Sequence, residues 1–193
     1  MLHPREEKPN TASQPPPAST EETAREPEAQ PISSGQAYRV TSPPEHSLVT
    51  PRLAQALSRL LEQFAQANGF NTEKPLEVAF GRGTLGLHRF NRAADIYAVG
   101  GKGIGDWAQA WNAAMRQTAN ASDPQQRAQQ VTEEKARNLG YKLYLALKAG
   151  GGWAQPPGYP VQLFGPWTRH EGPHTAITDQ LLHAHRDHIH VAK

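Results

Sequence analysis

The residues best suited to chemistry in this chain are histidines and aspartates that occur in two separate segments. Asp187, His188 and His190 stand within the last seven residues, and His88 and Asp95 form an upstream counterpart. Two imidazoles and a carboxylate can hold Zn²⁺ and leave its fourth position open for water. A further carboxylate or imidazole beside the metal can move a proton. These residue types therefore predict a metal-dependent hydrolase.

The C-terminal pair of histidines is expected to lie on a β-strand. Residues two apart in a strand project from the same face, so the His188 and His190 imidazoles would point the same way. Ile189 and Val191 would then face a hydrophobic core. Asp187 comes just before this strand, and its side chain reaches the metal only if the backbone turns there.

Other residues of the C-terminal segment could line the same cleft, and the sequence leaves their role open. The histidines are clustered, but histidines near a terminus can simply be solvated, and single aromatic side chains more often pack in a core. The residues in question are His170, His174, His183, His185, Tyr159 and Trp167.

The upstream segment has a pattern more specific than a histidine and an aspartate seven residues apart. Ala93 is the fifth residue after His88, and Ile96 directly follows Asp95. Together with a C-terminal His-x-His in a strand, this pattern resembles the LAS group of zinc peptidases. That group includes D-alanyl-D-alanine carboxypeptidases and dipeptidases, phage L-alanyl-D-glutamate endopeptidases and penicillin-insensitive murein endopeptidases.

The resemblance covers residues 76 to 193 at most, and it implies roles for particular residues. The implied zinc ligands are His88, Asp95 and His190. The resemblance also implies a catalytic residue just before the last ligand, an acidic one in several branches and the first histidine of His-x-His in others. We assign the general base to Asp187, with His188 as the alternative proton carrier or oxyanion stabiliser.

Three positions depart from the pattern of that group. Asn91 replaces a glycine, although asparagine tolerates a left-handed backbone better than most residues. Gly86 stands where a serine or threonine often precedes the histidine. The arginine that helps to bind substrate or the oxyanion usually lies further upstream. Arg82 is therefore a candidate for that role, and a solvated turn residue is its alternative.

A glycine-rich segment offers a competing interpretation. Gly81 to Gly86 matches Gly-x-Gly-x-x-Gly directly after a predicted strand, as at the start of a dinucleotide-binding fingerprint. After Gly86, however, the chain continues into another predicted strand and not into a long helix, and it has no succession of β-α-β units. We therefore expect a turn that borders the metal cleft.

Composition excludes several classes of protein. The chain has no cysteine, so disulfides and thiolate zinc sites are excluded and any metal is held by nitrogen and oxygen. The net charge of +2 is a narrow excess, and it does not indicate nucleic-acid binding. No stretch approaches the roughly 20 apolar residues that span a bilayer.

The N-terminal part differs in composition from the rest. Residues 1 to 47 hold nine of the 17 prolines and almost no large apolar side chains. They are expected to form a disordered tail, either a spacer or a delivery segment, because they can bury too little surface to offset their ordering entropy. Residues 1 to 8 also lack the apolar core of a secretory signal.

Residues 48 to 193 are predicted to form an α+β domain, with a small antiparallel sheet and flanking helices around a zinc cleft. Hydrophobic periodicity and capping residues support this prediction. The predicted helices cover residues 51–69, 104–118, 124–147 and 175–183. The predicted strands cover residues 76–80, 94–99, 161–164 and 189–192. The face of the predicted helix 104–118 that carries Trp107, Trp111 and Met115 is assigned to the core.

The sequence and the resemblance together predict a monomeric zinc metallopeptidase that cleaves a stem peptide or cross-link of peptidoglycan. It would reach the cell wall through phage lysis or as an injected effector, with the N-terminal tail as a contact for the delivery or lysis machinery. The alternative is a zinc-containing module that binds or assembles the wall without catalysis.

Overall fold

A computed structural model describes residues 28–84, 86–155, 161–171 and 178–193. Its strands are β1 (Gln30–Pro31), β2 (Tyr38–Val40), β3 (Leu48–Val49), β4 (Leu76–Gly81), β5 (Ala93–Val99), β6 (Lys102–Gly103), β7 (Leu163–Phe164) and β8 (Ile189–Ala192). Its α-helices are α1 (Pro51–Ala67), α2 (Ile104–Ala119), α3 (Pro124–Arg137), α4 (Leu139–Gly150), α5 (Thr168–Glu171) and α6 (Asp179–Ala184). Two 3-10 helices cover Pro44–His46 and Gly86–Phe90.

The main sheet has the strand order β2-β4-β5-β8-β7, and β6 pairs with β5. All these pairs are antiparallel except β2–β4, which is parallel. The predicted α+β class is confirmed. The predicted antiparallel arrangement is wrong at the edge of the sheet where β2 pairs with β4. β1 and β3 form a separate two-stranded sheet.

One face of the main sheet packs against helices to form the core. Helix α1 buries Leu53, Leu57 and Leu61, whose spacing places them on one side of the helix. The Trp111 ring of α2 stacks on the Tyr141 ring of α4 at 4.4 Å between centroids. The assignment of the α2 aromatic face to the core is therefore confirmed for Trp111, and Trp107 and Met115 pack against the core as partly buried side chains.

Ordered structure begins earlier than predicted. Ile32 and Tyr38 are buried, and β2 pairs with β4. The Glu62 carboxylate of α1 accepts hydrogen bonds from the Ala37 N–H. The predicted boundary of the tail at residue 47 is therefore wrong, because tertiary pairing orders a segment that composition describes as too polar. Residues 1–27 lie outside the described residues.

The predicted helix over residues 124–147 consists of two helices. Asn138 separates α3 from α4 with an extended backbone, and its side chain caps α4 by accepting the Tyr141 N–H. Gly140 belongs to α4, where a Cβ would lie 2.9 Å from Cη2 of Trp167. This glycine therefore allows close packing and does not break the helix.

The elements of the C-terminal part are shorter than predicted. The strand expected over residues 161–164 is limited to β7, and the helix expected over residues 175–183 is described only as α6. The final strand is confirmed as β8. None of the helices in the described residues is both long and apolar enough to cross a membrane.

Candidate metal centre

His88, Asp95 and His190 come from three different elements and meet at one point. His88 lies on the 3-10 helix Gly86–Phe90, Asp95 on β5 and His190 on β8. His88 Nε2 is 3.2 Å from Asp95 Oδ2, and His190 Nδ1 donates to Asp95 Oδ1 at 2.8 Å. The two imidazole nitrogens are 3.3 Å apart. The structure thus brings together the three ligands that the resemblance implied.

The backbone on both sides of His88 explains how this residue reaches the sheet. Asn91 has φ 54°, in the left-handed region, and it turns the chain from the 3-10 helix into β5. Its tolerance of this conformation makes it a workable replacement for glycine. Gly83 lies against the His88 ring, and a Cβ at this position would overlap the ring. The glycine-rich turn therefore makes room for a ligand.

The spacing of the donor atoms fits a small tetrahedral cation. Ligands about 2.0–2.1 Å from zinc at tetrahedral angles lie roughly 3.3 Å from one another. The two contacts made by His88 Nε2 measure 3.2 and 3.3 Å, and the three residues offer ligand atoms that all lie within 4.8 Å. Two nitrogens and a carboxylate oxygen form a donor set that divalent zinc accepts.

Asp95 is held in its charged form by the two imidazoles. Burial alone raises the pKa of this carboxyl, but hydrogen bonds and charge from His190 and His88 outweigh the burial and lower the pKa well below its usual range. Only 5% of Asp95 is exposed. A buried carboxylate between two imidazoles is a ready-made anionic ligand.

His188 lies beside this triad, and its imidazole forms a hydrogen bond with Asp187. His188 Nε2 is 3.8 Å from Asp95 Oδ1, and His188 Nδ1 donates to Asp187 Oδ1 at 2.9 Å. The Asp187 side chain is 58% exposed and lies outside the cavity that His188 lines. The backbone bends before β8, as the predicted reach of Asp187 required, but its carboxylate meets His188 and not the triad.

Aromatic and imidazole rings surround the site. The Phe164 ring stacks on His190 at 5.8 Å between centroids, and the His185 ring lies 5.0 Å from that of His188. His185 Nδ1 donates to the Leu181 carbonyl. Burial lowers the pKa of the His185 imidazole, which favours its neutral form. Of the histidines whose role was open and whose side chains are described, His185 lies in the cleft and His183 does not.

A cavity of about 530 Å³ opens on the triad. His88, Asp95 and His190 all line it, together with His188 and Arg82. A second cavity of about 360 Å³ adjoins it across His88 and is lined by Arg82 and by Arg89. Both arginines are exposed, and neither forms an ion pair within the described residues. The two cavities therefore expose positive charge beside the triad.

Sequence reasoning missed Tyr97 as a residue of the site. Tyr97 lies two residues after Asp95 on the same strand, and this spacing was the signal that could have placed it in the cleft. It lines the larger cavity, and its ring stacks on His188 at 4.8 Å between centroids. Burial and the charges of Asp95 and Asp187 raise the pKa of the Tyr97 hydroxyl.

The other residues considered for the cleft do not join it or cannot be placed. His183 is exposed on α6 and accepts a hydrogen bond from Arg186, while Trp167 is buried in the core. His174, Tyr159 and the side chain of His170 lie outside the described residues. The dinucleotide interpretation is wrong, since a 3-10 helix and antiparallel β5 follow β4 in place of a long helix and a parallel strand.

No family model, curated protein or solved structure matches this chain. The described residues contain a candidate His–Asp–His metal-binding triad.

Proposed function

We propose that the protein is a zinc-dependent peptidase that hydrolyses peptide bonds of peptidoglycan. One observation carries this proposal: a buried triad of nitrogen and oxygen donors lies open to a cavity of about 530 Å³, with a further imidazole beside it. A closed site with four protein ligands is typical of structural zinc, whereas three ligands and an open side are typical of catalysis.

The chain's own residues divide into two functions. His88, Asp95 and His190 would hold the metal, and zinc bound there supplies Lewis acidity toward water and the scissile carbonyl. His188 is the proton carrier. Because its Nδ1–H donates to Asp187, the other ring nitrogen, Nε2, carries the lone pair and faces the triad. His188 can therefore take up a proton at Nε2 and pass it to the leaving amine.

Asp187 then acts as the residue that orients the base. Its carboxylate holds the tautomer of His188 and stabilises the imidazolium formed when His188 takes up a proton. This arrangement favours His188, the alternative proton carrier that the sequence left open, over Asp187 as the general base. The carboxylate of Asp187 contacts His188 at 2.9 Å, while His188 is the residue that approaches Asp95.

The substrate class rests on the resemblance, and the electrostatics of the cleft are consistent with it. Stem peptides of peptidoglycan carry free carboxylates, and guanidinium groups bind carboxylates through paired hydrogen bonds. Arg82 lines both cavities and Arg89 lines the smaller one. Arg82 is the better placed of the two to meet a carboxylate or the oxyanion near the triad.

The test is digestion of purified peptidoglycan by the zinc-loaded full chain, followed by mass spectrometry of the soluble muropeptides. We expect new peptide termini that are absent after treatment with a chelator and return when zinc is added back. The same measurement identifies the bond that is cleaved. The matched variant is His188→Ala, which should retain zinc and lose turnover.

Two outcomes would count against the proposal. If the zinc-loaded wild type released no peptide, it would not be a peptidase of this substrate, and co-sedimentation with intact peptidoglycan would then indicate a non-catalytic wall-binding module. If His188→Ala retained full turnover, the proposed proton carrier would be wrong.

A further inference from the structure

Strand β5 contains an irregularity directly after the metal ligand Asp95. Along β4, Ala79 pairs with Ala98 and the next residue, Phe80, pairs with Ile96, so Tyr97 has no partner of its own. The burial pattern agrees, because Ile96 and Val99 both face the core although they are three residues apart. Tyr97 therefore lies in a β-bulge, a feature that redirects a side chain near functional sites.

The redirected Tyr97 ring lies across a glycine of the neighbouring strand. A Cβ built at Gly81 would overlap the Cε2 and Cδ2 atoms of the Tyr97 ring. Gly81 is the last residue of β4 and pairs with Asp95. An aromatic ring can approach a strand this closely where the residue beneath it is glycine. Gly81 therefore leaves the space that the Tyr97 ring occupies.

The Tyr97 ring also stacks on the imidazole of His188. The two ring planes are 19° apart and the centroids are separated by 4.8 Å. Tyr97 lies on β5 and His188 comes immediately before β8, which pairs with β5. Tyr97 thus contacts both Gly81 and His188 beside the triad.

Such a support matters for His188 because the hydrogen-bond partner of its ring is exposed. The carboxylate of Asp187 accepts the hydrogen bond from His188 Nδ1 but is 58% exposed, so water competes for it. The imidazole turns about its Cβ–Cγ bond, and a single hydrogen bond to an exposed carboxylate restrains that rotation only weakly. A flat aromatic surface restricts this rotation, since a tilted imidazole would collide with it or lose contact with it.

We infer that Tyr97 is a positioning residue, which holds the plane of His188 so that Nε2 faces the triad, and that Gly81 is required for this arrangement. The inference about orientation rests on the contacts of the chain itself. Its catalytic consequence rests on the proposed function, in which His188 carries the proton.

The first experiment measures orientation in the metal-free full chain, without any reaction. The proton shifts of the His188 ring are followed in histidine-labelled protein, with His188→Gln to assign the signals. A stacked aromatic ring shifts these protons upfield, so Tyr97→Ala should move them toward ordinary values. The matched control Tyr97→Phe keeps the ring and should keep the shifts. Unchanged shifts in Tyr97→Ala would overturn the inference.

The second experiment tests the role of the glycine through a mutant cycle. Gly81→Ala should displace the Tyr97 ring and change the His188 shifts in the same direction as Tyr97→Ala. In the double variant Gly81→Ala/Tyr97→Ala, the glycine substitution should add little, because the ring it would displace is gone. Additive effects would show that Gly81 acts independently of Tyr97 and would contradict this part of the inference.

The third experiment measures hydrolysis of purified peptidoglycan together with zinc content and thermal stability. We expect Tyr97→Ala to lower kcat roughly 10- to 100-fold, the range for groups that orient a residue of a metal site. KM, zinc content and Tm should change little, and Tyr97→Phe should restore kcat. A higher KM with unchanged kcat would instead identify Tyr97 as a substrate contact and overturn the inference.

The failures of the two proposals are distinguishable. If the wild type released no peptide, the proposed function would be wrong. The proton shifts of the His188 ring would still show whether Tyr97 orients His188. If turnover were normal but Tyr97→Ala left both shifts and kcat unchanged, the proposed function would stand without this positioning residue.

Discussion

Asp95 and His190 lie directly opposite each other on the antiparallel strands β5 and β8, although 95 residues separate them in the chain. His190 Nδ1 donates to Asp95 Oδ1 at 2.8 Å, and both side chains are almost fully buried. Cross-strand neighbours on one face are held at short distance by the sheet. Two of the three candidate ligands are therefore positioned by rigid backbone and not by loops.

The metal assignment predicts the zinc content of single variants. The wild type should contain about one zinc per chain, and His88→Ala and His190→Ala should lose it, because removal of one ligand leaves two. Elemental analysis after dialysis against a weak chelator is the measurement. The control is His183→Ala, which removes an exposed histidine of α6 and should leave the zinc content intact. Full zinc retention in His190→Ala would refute the assignment.

The division of roles between His188 and Asp187 predicts different losses of rate. His188→Ala removes the proton carrier and should lower kcat by about 10² to 10⁴. Asp187→Asn keeps a weaker acceptor for Nδ1–H and should lower kcat by about 10- to 100-fold. Both variants should retain zinc. A larger loss in Asp187→Asn than in His188→Ala would restore Asp187 as the general base.

Gly83 is predicted to control metal affinity although it carries no ligand atom. Gly83→Ala places a Cβ where it overlaps the His88 ring, so the imidazole must move from its contact with Asp95. We expect zinc affinity to fall by about 10- to 100-fold in competition with a chromogenic chelator. Gly103→Ala is the matched control, because its backbone has φ −61° and a Cβ there meets first the flexible Asp106 side chain, at 3.1 Å. Equal affinities of the two variants would contradict the prediction.

The charge state of Asp95 predicts how zinc binding depends on pH. Hydrogen bonds from His190 and His88 lower the pKa of Asp95 despite its burial, so the carboxylate stays ionised where histidines ordinarily titrate. Zinc requires both imidazoles to be neutral, and affinity is therefore lost as the pH falls. Below that range, the logarithm of the affinity should change by about two for each pH unit. A limiting slope of three would mean that Asp95 also takes up a proton.

A stability prediction concerns Asn138, between α3 and α4. This fully buried side chain accepts the Tyr141 N–H and donates to the Trp107 carbonyl and to Glu134. Asn138→Ala should lower the free energy of unfolding by about 2–4 kcal/mol, because it removes a helix cap and leaves buried polar groups unpaired. Asp123→Ala, which removes the exposed cap of α3, should cost about 0.5–1 kcal/mol. Chemical denaturation of both variants checks the difference.

Local sequence patterns predicted many of the elements that frame the site. The leucine spacing of α1, the proline at its first position and the alternation of β8 are signals read within one segment. Helix α1, strand β8 and the core position of Trp111 accordingly agree with prediction. The region around Tyr38 was predicted wrongly, because its order comes from pairing with β4 and from Glu62 of α1.

The sequence by itself determined which atoms could bind a metal. Without cysteine, the donors are imidazoles and carboxylates, and the resemblance to the LAS peptidases implied the set of His88, Asp95 and His190 that the fold brings together. These properties are local, since they depend on residue type and on the period of a strand.

Only the tertiary structure decided what surrounds that metal site. The register of β5 against β8 placed His190 opposite Asp95, and the pairing of these strands brought Tyr97 against His188. The bend before β8 directed Asp187 to His188. Register and bulges depend on pairing between strands that are distant in the chain, and a shift of one residue would turn every side chain to the opposite face. No local pattern carries that information.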